Sequence, residues 1–524
     1  MRVALRVDAS VAMGIGHLRR CLSLAQALDE QGAALVLVTR ALDEVAGQVL
    51  QKASYPVTWL PPVVSNNDAR ALNDLPPHQA YAGVTWQKDA SDTCDALSAA
   101  PPDWLIIDHY AFDARWHAFV RQRLGCRLLV IDDIADRALA ADVLLDQNWH
   151  SDHRAKYQGR LSQEPAWLVG PRYALLSEGY RAAARYKFNA QVKSIGIFMG
   201  GTDPGGVTGS VLACVRAEAR FEGLVEVVST SSSPYLDRLR AACLAWPNTS
   251  LTLDEPDLAS FFSRHDLHIG AGGGATWERC CMGAPTIALV VADNQAASVP
   301  GLHRSGIVRA ARLRGFQVTE HGENMQWLPE ALSSLLHDPR ARQLLSTAST
   351  ALVDGRGAQR VALRLMRETL ALRPATPEDA KMLYEWRNHP AIREVSGSGA
   401  PIAYAEHVHW MQKVLCASDR WLFVAQVGKL PVGSIRFDRL DADTLEVSLY
   451  LDPDLQGLGL GHQLLLGGER TMSRLLGLEV SIHAVVTPGN QASCRLFESC
   501  GYGGGPTLYR KSIMSHIQES ESTP

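Results

Sequence analysis

Up to about residue 160 the chain alternates short apolar runs with longer stretches whose apolar positions recur at helical spacing. The runs "LVLVTR", "DWLIIDHY", "RLLVIDD" and "VLLDQN" turn polar only at their ends. That is the pattern of parallel strands buried on both faces, with polar groups gathered at the carboxyl edge of the sheet. Between the first two strands, "LRRCLSLAQALDEQG" reads as an amphipathic helix that stops on Gly32. The spacing predicts a doubly wound α/β half.

A second half of the same kind opens near Lys193. "KSIGIFMGGTDP" is a strand running into a glycine turn, "LVEVVST" is another strand, and "HDLHIGAGGGATWERCCMGAPTIALVV" reads strand, glycine loop, helix, turn, strand. From about Leu372 the pattern changes. Thr376 is placed to cap an amphipathic helix, "WLFVAQV-GK-LPVGSIRF" reads as a hairpin, and "TLEVSLYL", "QGLGLG" and "EVSIHAVV" follow as strand, glycine stretch and strand. Mixed strands and helices with a hairpin predict an α+β domain. The expected organisation is an N-terminal Rossmann-like half over 1–165, a second half with closing helices over 166–365, the α+β domain over 370–512 and a polar tail over 513–524.

Composition narrows the function classes. The chain has 524 residues, 46% of them hydrophobic and 20% charged, and a formal net charge of -4 that gives no electrostatic reason to expect nucleic acid. The ten cysteines show no repeated Cys-x-x-Cys spacing, which favours reduced thiols over a disulfide or zinc framework. The start "MRVALRVDAS" alternates and carries Asp8, the pattern of a strand and not of a secretory signal. No run approaches the ~18 consecutive apolar residues of a membrane span. A cytoplasmic protein with soluble substrates and no stable membrane association is expected. His265 and His268 lack metal-site neighbours, and no metal is expected.

Three glycine clusters carry the candidate chemistry. In "RVDASVAMGIGHLRRC", Gly14 and Gly16 lead into His17, but Arg19 stands where the dinucleotide fingerprint needs its third glycine. "GAGGGATWE" places Gly272, Gly273 and Gly274 between a strand and a helix. Backbone N–H groups at such a position bind phosphate, and Glu278 one turn on is placed for ribose hydroxyls. Gly200 and Gly201 in "MGGTDPGG" form a second turn at a neighbouring strand end. Glycine turns also serve close helix–sheet packing, so both uses stay open. At strand ends, Asp108 in "IIDHY" and Asp132 in "VIDD" fit either sugar contacts or helix caps.

Taken together, "RVDASVAMGIGHLRRCLSLAQAL", "GPRYALL", "MGGTDP" and "GAGGGATWERCCMGAPTIALVVADNQ" resemble the UDP-sugar hydrolases of pseudaminic acid biosynthesis (PseG-like), over roughly residues 1–345. The resemblance implies a glycosyltransferase B fold of two Rossmann-like halves. It also implies hydrolysis of UDP-2,4-diacetamido-2,4,6-trideoxy-β-L-altropyranose with inversion. His17 is then the base that activates water, and Asp8 and Asn294, on motif positions, line the sugar site with Gly14 and Gly16; Asp108 is a candidate beside them with the helix-cap alternative still open. Gly200, Gly201, Gly272, Gly273, Gly274 and Glu278 hold UDP.

In the third block, Gln456, Gly457, Gly459 and Gly461 form a Gln-x-x-Gly-x-Gly turn before a helix, and "NQASCRLFESCGY" follows with Asn490 and Ser493. Residues from about 372 to 512 resemble the GCN5-related N-acetyltransferases (GNAT), PseH-like, so acetyl-CoA is the implied donor. Glu446 matches a common position for the base, or is a solvent-facing strand carboxylate. Phe497 stands where many members carry the tyrosine acid, leaving Tyr502 and Tyr509 as substitutes. Trp386 and Arg387 in "YEWRN" line the acceptor side or pack the helix. In that pathway a 4-amino UDP-sugar is N-acetylated immediately before UDP is removed, so the pairing of domains implies two consecutive steps. The alternatives are a UDP-sugar glycosyltransferase with a fused acetyltransferase, and a UDP-sugar- or CoA-binding protein without turnover.

Overall fold

The computed structural model describes residues 1–513 except 12, 52, 64–75, 202, 204, 257, 297, 314–325, 397, 398, 478 and 506, with Asp293 and Asn294 described in backbone only. The chain divides into two compact units, one of residues 1–29 and 33–361, the other of residues 30–32 and 362–524.

The first unit holds two parallel seven-stranded sheets. In the first sheet the strands β1 (Arg2–Val7), β2 (Ala34–Arg40), β3 (Val57–Leu60), β4 (Trp104–Asp108), β5 (Arg127–Ile131), β6 (Val143–Asp146) and β7 (Ala166–Val169) lie in the order 3-2-1-4-5-6-7. The sheet therefore closes on β7, just past the boundary expected at residue 165. The second repeats the plan with β8 (Ser194–Phe198), β9 (Leu224–Ser229), β10 (Thr249–Leu253), β11 (Leu267–Ala271), β12 (Thr286–Leu289), β13 (Arg309–Arg312) and β14 (Gln326–Trp327), ordered 10-9-8-11-12-13-14. Two Rossmann-like sheets in succession are the architecture of the glycosyltransferase B fold.

This strand order decides where ligands go. In each sheet the direction of winding reverses once, between β1 and β4 and between β8 and β11, and ligands of open α/β sheets bind at the carboxyl ends beside that reversal. At or just beyond the carboxyl ends of these four strands stand His17, Asp108, Gly200–Gly201 and Gly272–Gly274. The helix Gly16–Glu30, which follows β1, buries Leu18, Cys21, Leu24, Ala25 and Leu28 along one face. That stripe presses it on the sheet and fixes the orientation of its first turn.

Beneath the loop after β1 lies a charged network with almost no exposure. Arg6 donates to Asp8 at 2.5 and 2.8 Å and to Asp89 at 2.6 and 3.2 Å. Arg40 reaches Asp89 at 3.1 Å and Asp92 at 2.9 Å, and Trp116 Nε1 donates to Asp89 at 3.2 Å. Such charges tolerate burial only because each meets a partner.

The second unit is one mixed sheet of β15 (Ala371–Pro374), β16 (Arg420–Val427), β17 (Leu430–Arg439), β18 (Thr444–Leu451), β19 (Val480–Val485), β20 (Gly503–Gly504) and β21 (Leu508–Ile513), in the order 15-16-17-18-19-21-20. The predicted hairpin forms β16 and β17, antiparallel over most of their length. Beside Thr376, the Asp379 carboxylate accepts from the Thr376 N–H at 2.8 Å, a capping box on the 3-10 turn Pro377–Asp379 that leads into the helix over 380–388. Ile513 is not tail but the buried last residue of β21; the rest of the expected tail, 514–524, lies outside the described residues.

Replacing Asp89 by alanine removes the buried carboxylate that Arg6 and Arg40 share, leaving each with one acidic partner, Asp8 and Asp92. The expected cost is about 3–5 kcal/mol of stability, seen as a lower urea midpoint for the first unfolding transition. An unchanged midpoint would contradict the structural importance of this network.

Candidate active sites

His17 is the second residue of the helix Gly16–Glu30, delivered there by a tight turn in which Gly14 takes φ +75° and donates its N–H to Ser10 O at 2.7 Å. A side chain at Gly14 would be strained, whereas Gly16 has an ordinary φ and open space around it. Asp108 ends β4, directly opposite Val7 of β1, and its carboxylate meets the imidazole: His17 Nδ1 lies 2.6 Å from Asp108 Oδ1. A carboxylate cannot donate, so Nδ1 carries a proton, and in the neutral imidazole the lone pair is then on Nε2. Nε2 makes no hydrogen bond among the described residues, and 11% of the side chain remains exposed.

Arg20, one turn along the same helix face, clamps the other side of Asp108, with Nε to Oδ2 and Nη2 to Oδ1 both at 2.6 Å. Burial alone would push the Asp108 carboxyl up. Arg20 and His17 outweigh it and hold the group well below the usual carboxylate range. Arg20 also meets Asp133 at 3.2 Å, and Asp133 accepts from Tyr110 OH at 2.5 Å and from Asn148 Nδ2 at 3.2 Å. Tyr110 stands edge-on to His17, 4.7 Å between ring centroids. Tyr110 belongs to the strand-end group "IIDHY" read from the sequence, whereas Arg20 was missed there. The three-residue spacing of His17 and Arg20 on one helix was the available signal.

Two expected sugar contacts need correction. Asp8 is fully buried, its carboxylate held by Arg6, Thr39 Oγ1 and the Arg40 N–H, and Asp108 is fully buried with both oxygens engaged. Neither has surface left for a sugar. Asp132 pairs with Arg137 at 2.7 Å and accepts from the Ala135 N–H, a turn-forming task. Asn294 belongs to the short helix Asp293–Ala296, and its side chain lies outside the described residues.

The glycines after β11 divide by use. A Cβ on Gly272 would stand 2.2 Å from Val299 Cγ2, so this glycine is required by packing, as is Gly270 beneath it against Arg279 and Phe198 O. Gly274 has open space at its Cβ position and Gly273 meets only Gln295 Nε2 at 3.8 Å, at the start of the helix Ala275–Met282. Their surroundings leave the first N–H groups of that helix approachable by an anion. Glu278 is partly exposed on its first turns. Burial raises its carboxyl, against a hydrogen bond from Tyr180 and the charges of Arg19 and Arg279. Gly200 takes φ +102°, and Gly201 C=O accepts from Thr230 Oγ1 at 2.5 Å.

In the second unit, β18 pairs in parallel with β19 only through Thr444, Leu445 and Glu446, and then parts from it. Glu446 therefore sits at the fork, partly exposed and opposite His483. The loop after β18 turns through Gly457 (φ +84°) and Gly459 (φ +76°) into the helix Leu460–Leu476, with Gln456 exposed at its start. Gly461 lies 3.6 Å, by its Cβ position, from Leu496, where this helix packs on Gln491–Ser499. Asn490 caps that second helix by accepting from the Ser493 N–H at 3.1 Å.

Trp386 packs against the cluster of Leu383, Met411 and Val414, a structural task. Arg387 keeps a buried Nη1 and Arg436 a buried Nε without a partner. Both charges act on Tyr450, whose phenol burial pushes up to about 12 against a Ser434 hydrogen bond and these two cations. Tyr502 and Tyr509 are 5% and 2% exposed and pack around Phe497, so neither is open to a reacting thiol. Among the described residues, no group of three His, Cys, Asp or Glu side chains is arranged to hold a metal, and no helix is long and apolar enough to cross a membrane.

Residues 369–503 match the family model described as "Acetyltransferase (GNAT) domain". The UDP-2,4-diacetamido-2,4,6-trideoxy-beta-L-altropyranose hydrolase of Campylobacter jejuni is 23% identical over 307 residues, covering 58% of this chain and 97% of the relative. The acetyltransferase PseH of the same species is 28% identical over 82 residues, 16% of this chain and 52% of its own. An uncharacterized protein of Methanocaldococcus jannaschii is 21% identical over 531 residues, 96% of each chain. The chain thus joins a segment related to the UDP-sugar hydrolase, of glycosyltransferase B architecture, to a C-terminal GNAT domain related to PseH.

Proposed function

We propose that the protein carries out two successive steps on one nucleotide-activated amino sugar: N-acetylation of a UDP-4-amino sugar, then hydrolysis of the diacetamido product to free sugar and UDP. The observation that carries the hydrolytic step is the His17–Asp108 pair at the β1/β4 reversal. With Nδ1–H donated to Asp108, Nε2 is a base held in one tautomer. It takes a proton from water as the water oxygen bonds to the anomeric carbon. The bond from that carbon to the UDP oxygen breaks on the opposite face, which inverts the centre. UDP leaves with its electron pair and needs no proton. The N–H groups after Gly273 and Gly274 and the turn at Gly200–Gly201 are proposed to hold its charge, with Glu278 on the ribose. Asn294 is retained as a proposed sugar-side residue on the motif alone.

In the GNAT domain, acetyl-CoA is the proposed donor. The turn Gln456–Gly461 supplies backbone N–H groups to its phosphates, with Asn490 and Ser493 shaping the adjoining helix start. The sugar amine, made neutral, attacks the thioester carbonyl; the C–N bond forms, the C–S bond breaks, and CoA leaves as thiolate to be protonated. Glu446 at the strand fork is the proposed base for the amine proton. The unpartnered Nη1 of Arg387 and Nε of Arg436, the latter a guanidinium that also pairs with Asp438 through Nη2 at 2.8 Å, are the polar hydrogens proposed to meet a nucleotide-linked acceptor.

Two outcomes follow. With the diacetamido UDP-sugar supplied directly, His17→Ala lowers kcat for UDP release by about 10²–10⁴, and Asp108→Asn does the same by misorienting the ring, with KM little changed in both. Wild-type activity in either variant would contradict the assignment. For acetyl transfer, Glu446→Gln lowers kcat, whereas Arg436→Ala raises KM for the UDP-amino sugar and leaves kcat nearly constant. The reverse split would reassign the two residues.

A further inference from the structure

Asn148 stands just beyond β6, and its side-chain amide touches both parallel sheets. Trp277 Nε1, on the helix Ala275–Met282 of the second, donates to Oδ1 at 3.0 Å. Nδ2 donates in turn to Asp133 Oδ2, beyond the end of β5 in the first, at 3.2 Å. An indole N–H only donates and a carboxylate only accepts, so one orientation of the amide alone satisfies both neighbours.

The surrounding stretch "DQNWH" leaves Asn148 little freedom. Its own N–H donates to Asp146 Oδ1 at 3.0 Å, and the Gln147 side chain before it accepts from the Leu175 N–H at 3.0 Å. Trp149 after it lies so close on Gly301, in the helix Val299–Arg304, that its ring leaves no room there for a Cβ. The second sheet's elements thus grip this loop of the first at two places, Trp277 and Gly301.

What Asp133 receives from Asn148 bears on the base. Asp133 Oδ2 also meets Arg20 Nη1 at 3.2 Å, while Oδ1 accepts from Tyr110 OH. Burial would push the Asp133 carboxyl up; Arg20 and the Tyr110 hydroxyl outweigh it and keep the group below its ordinary value. Arg20 turns Nε and Nη2 to Asp108, which holds His17 Nδ1. A guanidinium is planar, so carboxylates on two of its edges set its plane, and a shift of Asp133 turns the edge that Asp108 meets.

We propose that Asn148 is a positioning residue of the hydrolytic step: it holds Asp133 from the side of the second sheet and, through Arg20 and Asp108, sets the direction of His17 Nε2. This rests on the hydrolase reading above. The base and the proposed leaving-group loops stand on different sheets, and the amide makes the aim of the base depend on the second sheet's being in place. Asn148 therefore serves the chemical step and not the binding of nucleotide.

The test follows UDP release from the diacetamido UDP-sugar by the full chain in wild type, Asn148→Ala, Trp277→Phe and the two combined, with Asn148→Ala repeated in the His17→Ala background. Loss of one hydrogen bond to a charged acceptor is expected to lower kcat about tenfold in Asn148→Ala. KM and the calorimetric affinity for UDP stay within about twofold of wild type. Trp277→Phe, which keeps an aromatic ring and removes the N–H, also lowers kcat, and the combined variant falls no further than Asn148→Ala. In the His17→Ala background Asn148→Ala leaves kcat unchanged, because the group it aims is gone. Wild-type kcat in Asn148→Ala overturns the proposal. So does an undiminished loss in the His17→Ala background, or a parallel loss of UDP affinity, since either makes Asn148 a brace of the cleft and not of the base. If Asn148→Ala does not fold, Trp277→Phe is judged by the same measures. Wild type that releases no UDP removes the hydrolase reading itself, a separate result.

Discussion

Asp108 has no surface in contact with water, and a carboxylate so placed stays charged only where cations meet it. Arg20 supplies one through two short bonds, and the His17 imidazole supplies the remaining polar hydrogen. The consequence runs outward from there. Because Asp108 is anionic, Nδ1 of His17 must be the protonated nitrogen, and because β4 lies beside β1 in the sheet, that nitrogen is fixed at the point where the winding reverses. The tautomer, the direction of the lone pair and the position of the proposed base all follow from one buried charge. Arg20 extends the same constraint to Asp133, and through Asn148 to Trp277 Nε1 at 3.0 Å, on the helix that follows the glycine loop of the second sheet.

The sequence was most readable where local chemistry and long-range placement coincide. His17 stands out because a Gly-x-Gly turn and a helix start converge on it within four residues. The long buried strands β1, β4, β8, β11 and the hairpin β16–β17 announce themselves by uninterrupted or alternating apolar runs. Short or polar strands such as β10 ("TSLTL"), β13 ("RAAR") and β21 ("LYRKSI") carry no such signal, because their place depends on the neighbour they pair with.

Site residues were legible in type and less so in role. Asp8 and Asp108 were visible as polar groups ending strands, but whether such a group faces a ligand or the interior depends on side chains far along the chain: Asp89 for one network, Arg20 for the other. The glycines make the same point. Gly272 and Gly273 are adjacent and identical in sequence terms. Only Val299, which crowds the first and not the second, separates a packing glycine from one that leaves room for phosphate. Arg387 and Trp386, again adjacent, part in the same way, the indole in the core and a guanidinium nitrogen left unpartnered.

In the proposed function the two units bring unlike chemistries to one class of substrate: His17 as a base for water in the first, and the strand fork at Glu446 with the glycine turn for a thioester donor in the second. The two domains are proposed to act in succession on one molecule. The most direct measurement supplies the full chain with the UDP-4-amino sugar and acetyl-CoA and follows CoA and UDP in the same reaction. Successive action requires that CoA appears first, that UDP follows after a lag and reaches the same final amount, and that omitting acetyl-CoA suppresses UDP. UDP release at full rate without acetyl-CoA, or CoA release never followed by UDP, would contradict it.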